Sequence, residues 1–154
     1  MPHVGIEYAI MLPILVLLII ALPLAAGWMM SVWTNDRMKG EIQEAANQVT
    51  STIKQLYLAL KSSNVLPTSS PIVQTLNLPT TIESHPYYAT SPKSGSIKVL
   101  NLRFTLQGTG ITTNSSVIFG SSVNWRSSEF FSNSSSARIK AWKYSTNNIT
   151  LSFG

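Results

Sequence analysis

The chain contains no cysteine, and its 154 residues include only two histidines and six acidic residues. Without cysteine, neither a disulfide framework nor a thiolate metal site can form. Neither His3 nor His85 stands in a catalytic motif, and the sequence has no Gly-rich phosphate loop, nucleophile elbow or catalytic carboxylate pair. We therefore expect a protein that is not an enzyme and that holds no metal and no cofactor.

Charge is scarce as well, at 11% of residues, and it is unevenly distributed. Up to Val65, four acidic residues balance four basic ones. The remaining residues carry seven bases against only Glu83 and Glu129, so the whole net charge of +5 lies in this second part. The bases stand singly, which favours a solvated basic surface over a nucleic-acid-binding patch. Nucleic acid is therefore not an expected partner.

One long segment has no charge at all, the 28 residues from Tyr8 to Asn35. About twenty apolar residues are enough for a helix to cross the roughly 30 Å hydrocarbon core of a membrane. The apolar run is longer than that of a cleaved signal peptide, and no Lys or Arg precedes it. We therefore predict a transmembrane helix. Pro13 and Pro23 lie within it, and they either kink the helix or give it weak points at which it bends on leaving lipid.

A second periodic pattern follows the uncharged segment. Its apolar residues recur at steps of three and four, as on one face of a helix. They are Met38, Ile42, Ala46, Val49, Ile53, Leu56 and Leu60. We predict one helix over residues 1–65. Its stripe either packs only against the rest of the same chain or also contacts neighbouring helices.

The remaining sequence predicts β-structure. Residues 66–93 are rich in Pro, Ser and Thr, which indicates a connection that packs on the following domain. From 94 to 154, apolar and polar residues alternate, with Gly and Asn between short strands at intervals of about ten residues. This pattern is typical of an antiparallel sandwich. The predicted fold class is α+β, a long N-terminal hydrophobic α-helix followed by an antiparallel β-sandwich-like globular head.

Three short motifs predict sites of N-glycosylation, at Asn114, Asn133 and Asn148. Each asparagine lies in or beside a predicted loop of the head. N-glycans are added to exported domains, so these motifs favour a head outside the cell. The bases Arg37 and Lys39, which follow the apolar run, would instead place the head in the cytoplasm if the positive-inside tendency decided its orientation.

Glu7 stands at the edge of the apolar run. An ionised carboxylate in apolar surroundings is unfavourable unless it has a partner. Glu7 either stays hydrated at the level of the lipid headgroups, or it enters the core of an oligomer and pairs there with a cation such as the N-terminal amine of another copy. Breaking a buried ion pair costs about 3–5 kcal/mol, so such a pair would fix the register between copies.

The residues from Gly5 to Leu15 resemble the N-terminus of the type IV pilin superfamily, especially tight-adherence pilins and pseudopilins. In those proteins a Glu is followed by an aromatic residue and soon by a Leu-Pro step, here Glu7, Tyr8 and Leu12-Pro13. The resemblance covers roughly residues 3–35, and this chain departs from the family in having no basic residue before Glu7. A β-rich head with glycosylation motifs and no cysteine is similar to archaeal members.

The resemblance implies a lollipop-shaped pilin made as a precursor in the cytoplasmic membrane. Its partners would be a prepilin peptidase, an assembly ATPase, a platform protein and copies of itself in a helical homopolymer. It also implies an assembly role for Glu7, Tyr8, Pro13 and Pro23. We therefore expect an N-glycosylated subunit of an extracellular filament that serves adhesion to a surface or cell ligand, or cell–cell contact. The alternatives are a single-pass membrane-anchored surface binding protein and a minor pseudopilin of a secretion machine.

Overall fold

A computed structural model describes residues 3–91, 93–134, 137–145 and 148–154, with side chains from residue 11 onward. Within these residues, one α-helix is followed by seven β-strands. They are α1 (His3–Lys61), β1 (Thr68–Thr75), β2 (Tyr87–Thr90), β3 (Gly95–Leu106), β4 (Thr112–Trp125), β5 (Glu129–Phe131), β6 (Arg138–Ser145) and β7 (Asn148–Phe153). The chain forms two compact units, of which the first ends at Arg37 and the second runs from Met38 to Gly154. The predicted α+β class, with a long N-terminal helix before a β-rich head, is confirmed.

The seven strands form a single sheet in the order β1-β6-β7-β4-β3-β2-β5. All neighbours are antiparallel except β4 and β7, which run parallel where Asn124 pairs with Thr150. The head is therefore not two antiparallel sheets facing each other. The head has one mixed sheet with one buried face, and α1 packs on that face as the second layer. The apolar stripe of α1 covers the buried face in place of a second sheet.

Residues 66–93 contribute two strands to this sheet. β1 is an edge strand paired only with β6, whereas β2 lies between β3 and β5. The buried side chains of Leu76, Ile82 and Tyr87 anchor this part of the chain in the core. The sheet thus begins well before residue 94, and the compact unit that contains it includes the second half of α1.

The core lies between α1 and the inner face of the sheet. Every residue of the predicted helical stripe is buried except Leu56, which is partly buried, and Ala45 and Tyr57 join them. The sheet contributes alternating buried residues along β3 and β4. They are Leu100, Leu102, Phe104, Leu106, Val117, Phe119, Val123 and Trp125. The stripe therefore packs against the head of its own chain.

The pairing of β3 with β4 is interrupted by a bulge. Ile97 pairs with Val123, but Val99 pairs with Ile118. Four residues of β4 (119–122) therefore lie opposite a single residue of β3, Lys98. A bulge leaves ladder groups without their usual partners. The same break explains why Lys98, which simple alternation places on the inner face, is exposed.

Tyr57 of α1 fills this break. Its hydroxyl accepts the N–H of Ser121 at 3.1 Å and forms a second hydrogen bond of 2.9 Å with the Ser121 hydroxyl. The ring packs edge-on against Phe119, with 5.0 Å between centroids. A Cβ at Gly120 would lie 3.3 Å from Lys61 Nζ and 3.6 Å from Tyr57 Oη, so this position faces the ends of two side chains of α1.

Lys143 holds the C-terminal end of α1. Its side chain is only 2% exposed, and its Nζ donates hydrogen bonds of 2.7 Å to the carbonyl oxygens of Ser62 and Val65. Both residues follow Lys61, the last residue of α1, so their carbonyl oxygens have no partner within the helix. A buried ammonium group satisfies two carbonyls in this region and links α1 to β6.

We expect Lys143→Met to lower the free energy of unfolding by about 1–3 kcal/mol, because two carbonyl oxygens lose a charged donor at a buried site. The measurement is the denaturant midpoint of the full chain in mild detergent, followed by tryptophan fluorescence. Lys98→Met, at an exposed position, is the control and should change the unfolding free energy by less than about 0.5 kcal/mol. Equal effects of the two substitutions would show that the ammonium group does not support the fold.

Tyr87 supplies a second buried polar contact. Its hydroxyl donates to the Pro79 carbonyl oxygen at 2.9 Å, and its N–H donates to the Ser132 hydroxyl at 2.9 Å. Burial raises the pKa of the Tyr87 phenol to about 12, from an ordinary value of 10.0. As pH rises, the unfolded chain therefore loses this proton before the folded chain does. The stability that depends on the neutral phenol is complete below about pH 10 and is lost toward pH 12.

We expect the unfolding midpoint of the wild-type chain to fall between pH 10 and 12, and the fall to be shallower in Tyr87→Phe, which has no phenolic proton to lose. Each variant is compared with its own midpoint at pH 8, so that the lost hydrogen bond to Pro79 does not enter the difference. Identical pH profiles would contradict the assignment.

Candidate assembly surface

Every side chain of α1 from residue 11 to residue 37 is exposed, although most of them are apolar. We call residues 11–33 the apolar stem. Its large apolar side chains are between 42% and 78% exposed. They are Met11, Leu12, Ile14, Leu15, Val16, Leu17, Leu18, Ile19, Ile20, Leu22, Leu24, Trp28, Met29, Met30, Val32 and Trp33. The largest apolar patch on a typical soluble monomer is about 300–600 Å², and a surface this continuous marks an interaction site.

The apolar stem is apolar all the way round. Five consecutive apolar residues, Ile14 to Leu18, are enough to cover the full circumference, since each residue turns the helix by about 100°. A helix of this kind belongs in a membrane or in the core of a large assembly. Its mean hydropathy reaches 2.4 over 18 residues, and none of that window is buried. The helix is therefore long and apolar enough to anchor in a membrane.

The two hydroxyl groups near the end of the apolar stem have partners within the helix. Ser31 Oγ donates to the carbonyl oxygen of Trp28 and Thr34 Oγ1 to that of Met30, each at 2.9 Å. Neither hydroxyl therefore needs water as an acceptor. This arrangement is suited to an environment without water, in which an unsatisfied polar group is unfavourable.

Pro13 and Pro23 both lie inside α1, which continues through them. Proline has no N–H, so the carbonyl oxygens four residues earlier, at Ala9 and Ile19, do not receive their usual helical hydrogen bond. In lipid or in a bundle, neighbouring helices and local adjustments satisfy such carbonyls. The two prolines are therefore placed within the helix as predicted, and their role in bending stays a prediction.

Glu7 and Tyr8 lie on the backbone of α1, but their side chains are outside the described part of the structure. The predicted pairing of the Glu7 carboxylate with a neighbouring amine therefore stays a prediction.

All three asparagines of the predicted glycosylation motifs are exposed. Asn114 lies within β4, two residues after the strand begins, and Asn133 lies in the turn after β5. Asn148 is the first residue of β7, and its Oδ1 accepts a hydrogen bond of 3.3 Å from Asn124 Nδ2. Exposure makes each amide accessible to a modifying enzyme, and glycosylation stays a prediction.

The described residues provide few of the groups that catalysis uses. Among them, no three His, Asp or Glu side chains lie close enough together to hold a metal ion. A groove between α1 and β1 is lined by polar uncharged side chains such as Gln48, Gln55 and Gln74. The expectation of no enzymatic activity stays a prediction.

The structure brings together a cluster on the outer face of the sheet that the sequence did not reveal as a group. Arg126 lies over the ring of Trp142, with its guanidinium carbon 5.5 Å from the ring centroid. Trp142 belongs to β6, in which Arg138, Lys140, Trp142 and Tyr144 alternate with buried residues. The period of two along 138–144 is the signal that identifies this outward row in the sequence.

We expect that Leu15→Lys, Leu18→Lys and Leu22→Lys, combined on one face of the apolar stem, prevent stable insertion into a bilayer. Each lysine near the centre of a membrane helix costs about 2.5–3.5 kcal/mol. The measurement is the fraction of the full chain that remains with membranes after alkaline carbonate extraction and flotation. Ser51→Lys, Gln55→Lys and Leu58→Lys together add the same charge at exposed positions outside the stem and should leave that fraction unchanged. Full retention of the stem variant would exclude the stem as the membrane anchor.

Comparison of this chain with models of protein families, with curated protein sequences and with solved structures gives no match.

Proposed function

We propose that this chain is the structural subunit of an extracellular type IV pilus-like filament that serves adhesion or cell–cell contact. The observation that carries this proposal is the apolar stem, whose large side chains surround the helix and are all exposed. Such a surface is stable only where water is excluded. Lipid meets this need before assembly, and the stems of other copies meet it in the filament.

The transfer of the stem from lipid to a bundle of stems is physically reasonable because both surroundings are apolar. Leucine side chains and lipid tails are equally apolar, so the helix loses little of its solvation on leaving the membrane. Close side-chain packing and specific polar pairs then decide how the stems fit together. In this proposal the segment from Ile10 to Val32 packs in a dry central bundle and the heads form the outer wall.

Glu7 has the role of fixing the register of neighbouring copies. A carboxylate at the edge of an apolar helix becomes favourable in the bundle when it pairs with the N-terminal amine of another copy. A copy that slips along the bundle axis leaves the charge unpaired and is rejected. Tyr8, directly beside it, adds an aromatic ring to the same contact.

Pro13 and Pro23 let the stem change its curvature between the two environments. Each proline removes one helical hydrogen bond, so a bend at these positions breaks fewer bonds than a bend elsewhere in the stem. The stem can therefore adapt to a packing geometry in the filament that differs from the one in lipid.

The remaining partners follow from the resemblance of the N-terminal segment to type IV pilins. They are a prepilin peptidase, an assembly ATPase and a platform protein at the cytoplasmic membrane, and N-glycans at Asn114, Asn133 and Asn148. The exposure of the three asparagines supports the last of these.

A single-pass surface protein that works as a monomer is the second candidate. It is favoured by the cluster of Arg126 and Trp142 on the outer face of the sheet, which offers a binding surface without any need for polymerisation. The two candidates differ in what surrounds the stem, which is lipid alone in a monomer and other stems in a filament.

The test is negative-stain microscopy of material sheared from the surface of cells that express the full chain, with the subunit identified by mass spectrometry. We expect filaments from the wild type and a loss of at least tenfold in filament yield from Glu7→Ala and Glu7→Gln, because both remove the charge that the pair requires. Glu44→Ala, at an exposed position of the second half of α1, is the control and should leave the yield unchanged.

Two results would contradict the proposal in different ways. Isolated molecules held in bilayers, without filaments from the wild type under any condition, would exclude the filament. A normal filament yield from Glu7→Ala would retain the filament but remove the pairing role of Glu7. The unfolding midpoint of the head, measured in detergent, should be the same in the wild type and all of these variants.

A further inference from the structure

The outer face of the sheet carries an unusual row of side chains along β6. Arg138, Lys140, Trp142 and Tyr144 all point away from the core, because Ile139, Ala141 and Lys143 between them are buried. Successive outward residues of a strand are about 6.6–7 Å apart. We call these four residues together with Arg126 the basic row.

Arg126 completes the basic row from the neighbouring part of the sheet. Its guanidinium group lies over the ring of Trp142, at 5.5 Å from the centroid. An arginine held against an aromatic ring keeps its donors in a fixed orientation, so it loses less conformational entropy when it binds a planar anion. The stacking therefore prepares Arg126 for a carboxylate or a sulfate group.

No side-chain carboxylate of the described residues is paired with the cations of the basic row. Among the described residues, Arg126, Arg138 and Lys140 form no ion pair. Glu129 lies on β5, at the opposite end of the sheet from β1 and β6, and Glu83 is the one other acidic residue after Val65. Three positive charges thus share one surface, and an anionic partner is the one that complements them.

The neighbours of the basic row are small, polar and uncharged. Strand pairing places Thr75 of β1 beside Arg138, and Thr75 is exposed. Asn124 of β4, two residues before Arg126, is exposed as well. Amides and hydroxyls of this kind exchange hydrogen bonds with the hydroxyl groups of sugars.

We propose that the basic row binds an acidic polysaccharide, a sugar polymer that carries carboxylate or sulfate groups. The three cations pair with the anionic groups, and the ring of Tyr144 and the free edge of Trp142 contact the apolar faces of the sugars. The row is extended along a strand on an open sheet face and not enclosed in a pocket, which fits a polymer better than a small molecule.

Other polyanions fit this surface less well. A protein that binds double-stranded DNA through about six to ten phosphate contacts uses roughly two to three times as many contacts as three cations supply at one each. Recognition of anionic membranes typically uses clusters of about 4–8 Lys and Arg residues.

The test uses the full chain in mild detergent, unpolymerised, so that its outcome is independent of filament formation. Binding is measured at physiological ionic strength to immobilised polygalacturonate, which carries carboxylates, to chondroitin sulfate, which also carries sulfates, and to neutral dextran. We expect binding to at least one acidic polymer and none to dextran. Binding to polygalacturonate assigns carboxylate recognition, and binding to chondroitin sulfate alone assigns sulfate recognition.

Two triple variants that remove the same charge distinguish binding by the basic row from attraction to the net positive charge of the chain. Arg126→Gln, Arg138→Gln and Lys140→Gln together should lower the affinity at least tenfold, and Trp142→Ala should lower it at least threefold. The control combines Lys93→Gln, Lys98→Gln and Arg103→Gln, which remove the same charge from exposed positions elsewhere on the head and should lower the affinity less than threefold. Thermal unfolding midpoints of both triple variants should match the wild type.

Four results would overturn the proposal. They are absence of binding to both acidic polymers, equal losses of affinity in the two triple variants, tighter binding to double-stranded DNA, and a loss of binding in the basic-row variant that is larger for phosphatidylserine vesicles, relative to phosphatidylcholine vesicles, than for the acidic polymers. A loss of filaments in the basic-row variant, without any polysaccharide binding by the wild type, would assign this surface to contacts between copies.

Discussion

The packing of the second half of α1 against one face of the sheet is the interaction on which the rest of the structure depends. It buries the helical stripe and the alternating residues of β3 and β4 in a single core. Polar contacts add to this packing in both directions. Tyr57 of the helix accepts a hydrogen bond from the N–H of Ser121 at the bulge in β4, and Lys143 of β6 donates to the carbonyl oxygen of Ser62 just after the helix. Because one face is used for this contact, the other face of the sheet is left for solvent or for partners.

The two halves of α1 require different surroundings. The second half is amphipathic, and the inner face of the sheet in the same chain covers its apolar stripe. The first half is apolar on all sides and has no such partner within the described chain, where its side chains are exposed from residue 11 to residue 37. One continuous helix thus joins a segment whose apolar stripe is buried by its own chain to a segment that requires a dry environment. Membrane anchoring and polymerisation are two ways to meet the same requirement.

Local patterns in the sequence were enough to predict the helix and most strands. The steps of three and four from Met38 to Leu60 predicted the buried stripe, and alternation predicted the inner face of β3 from Leu100 to Leu106. The arrangement of the strands was not predictable in this way. The parallel pairing of β4 with β7, and the entry of β1 and β2 into the sheet from a Pro-rich segment, depend on contacts between residues distant in sequence. Tyr57 and Lys143 were missed for the same reason, because their partners are 64 and about 80 residues away.

The place of β7 in the sheet has a consequence for the order of folding. The last strand in chain order lies in the interior of the sheet, where it joins the pair β1-β6 to the group β4-β3-β2-β5. Until β7 has been synthesised, the two groups of strands cannot be joined, and each presents an unpaired edge that invites association with other chains. Completion of the sheet therefore depends on β7, the last of the described strands along the chain, and the exposed edges of the two groups are protected only when it pairs with both.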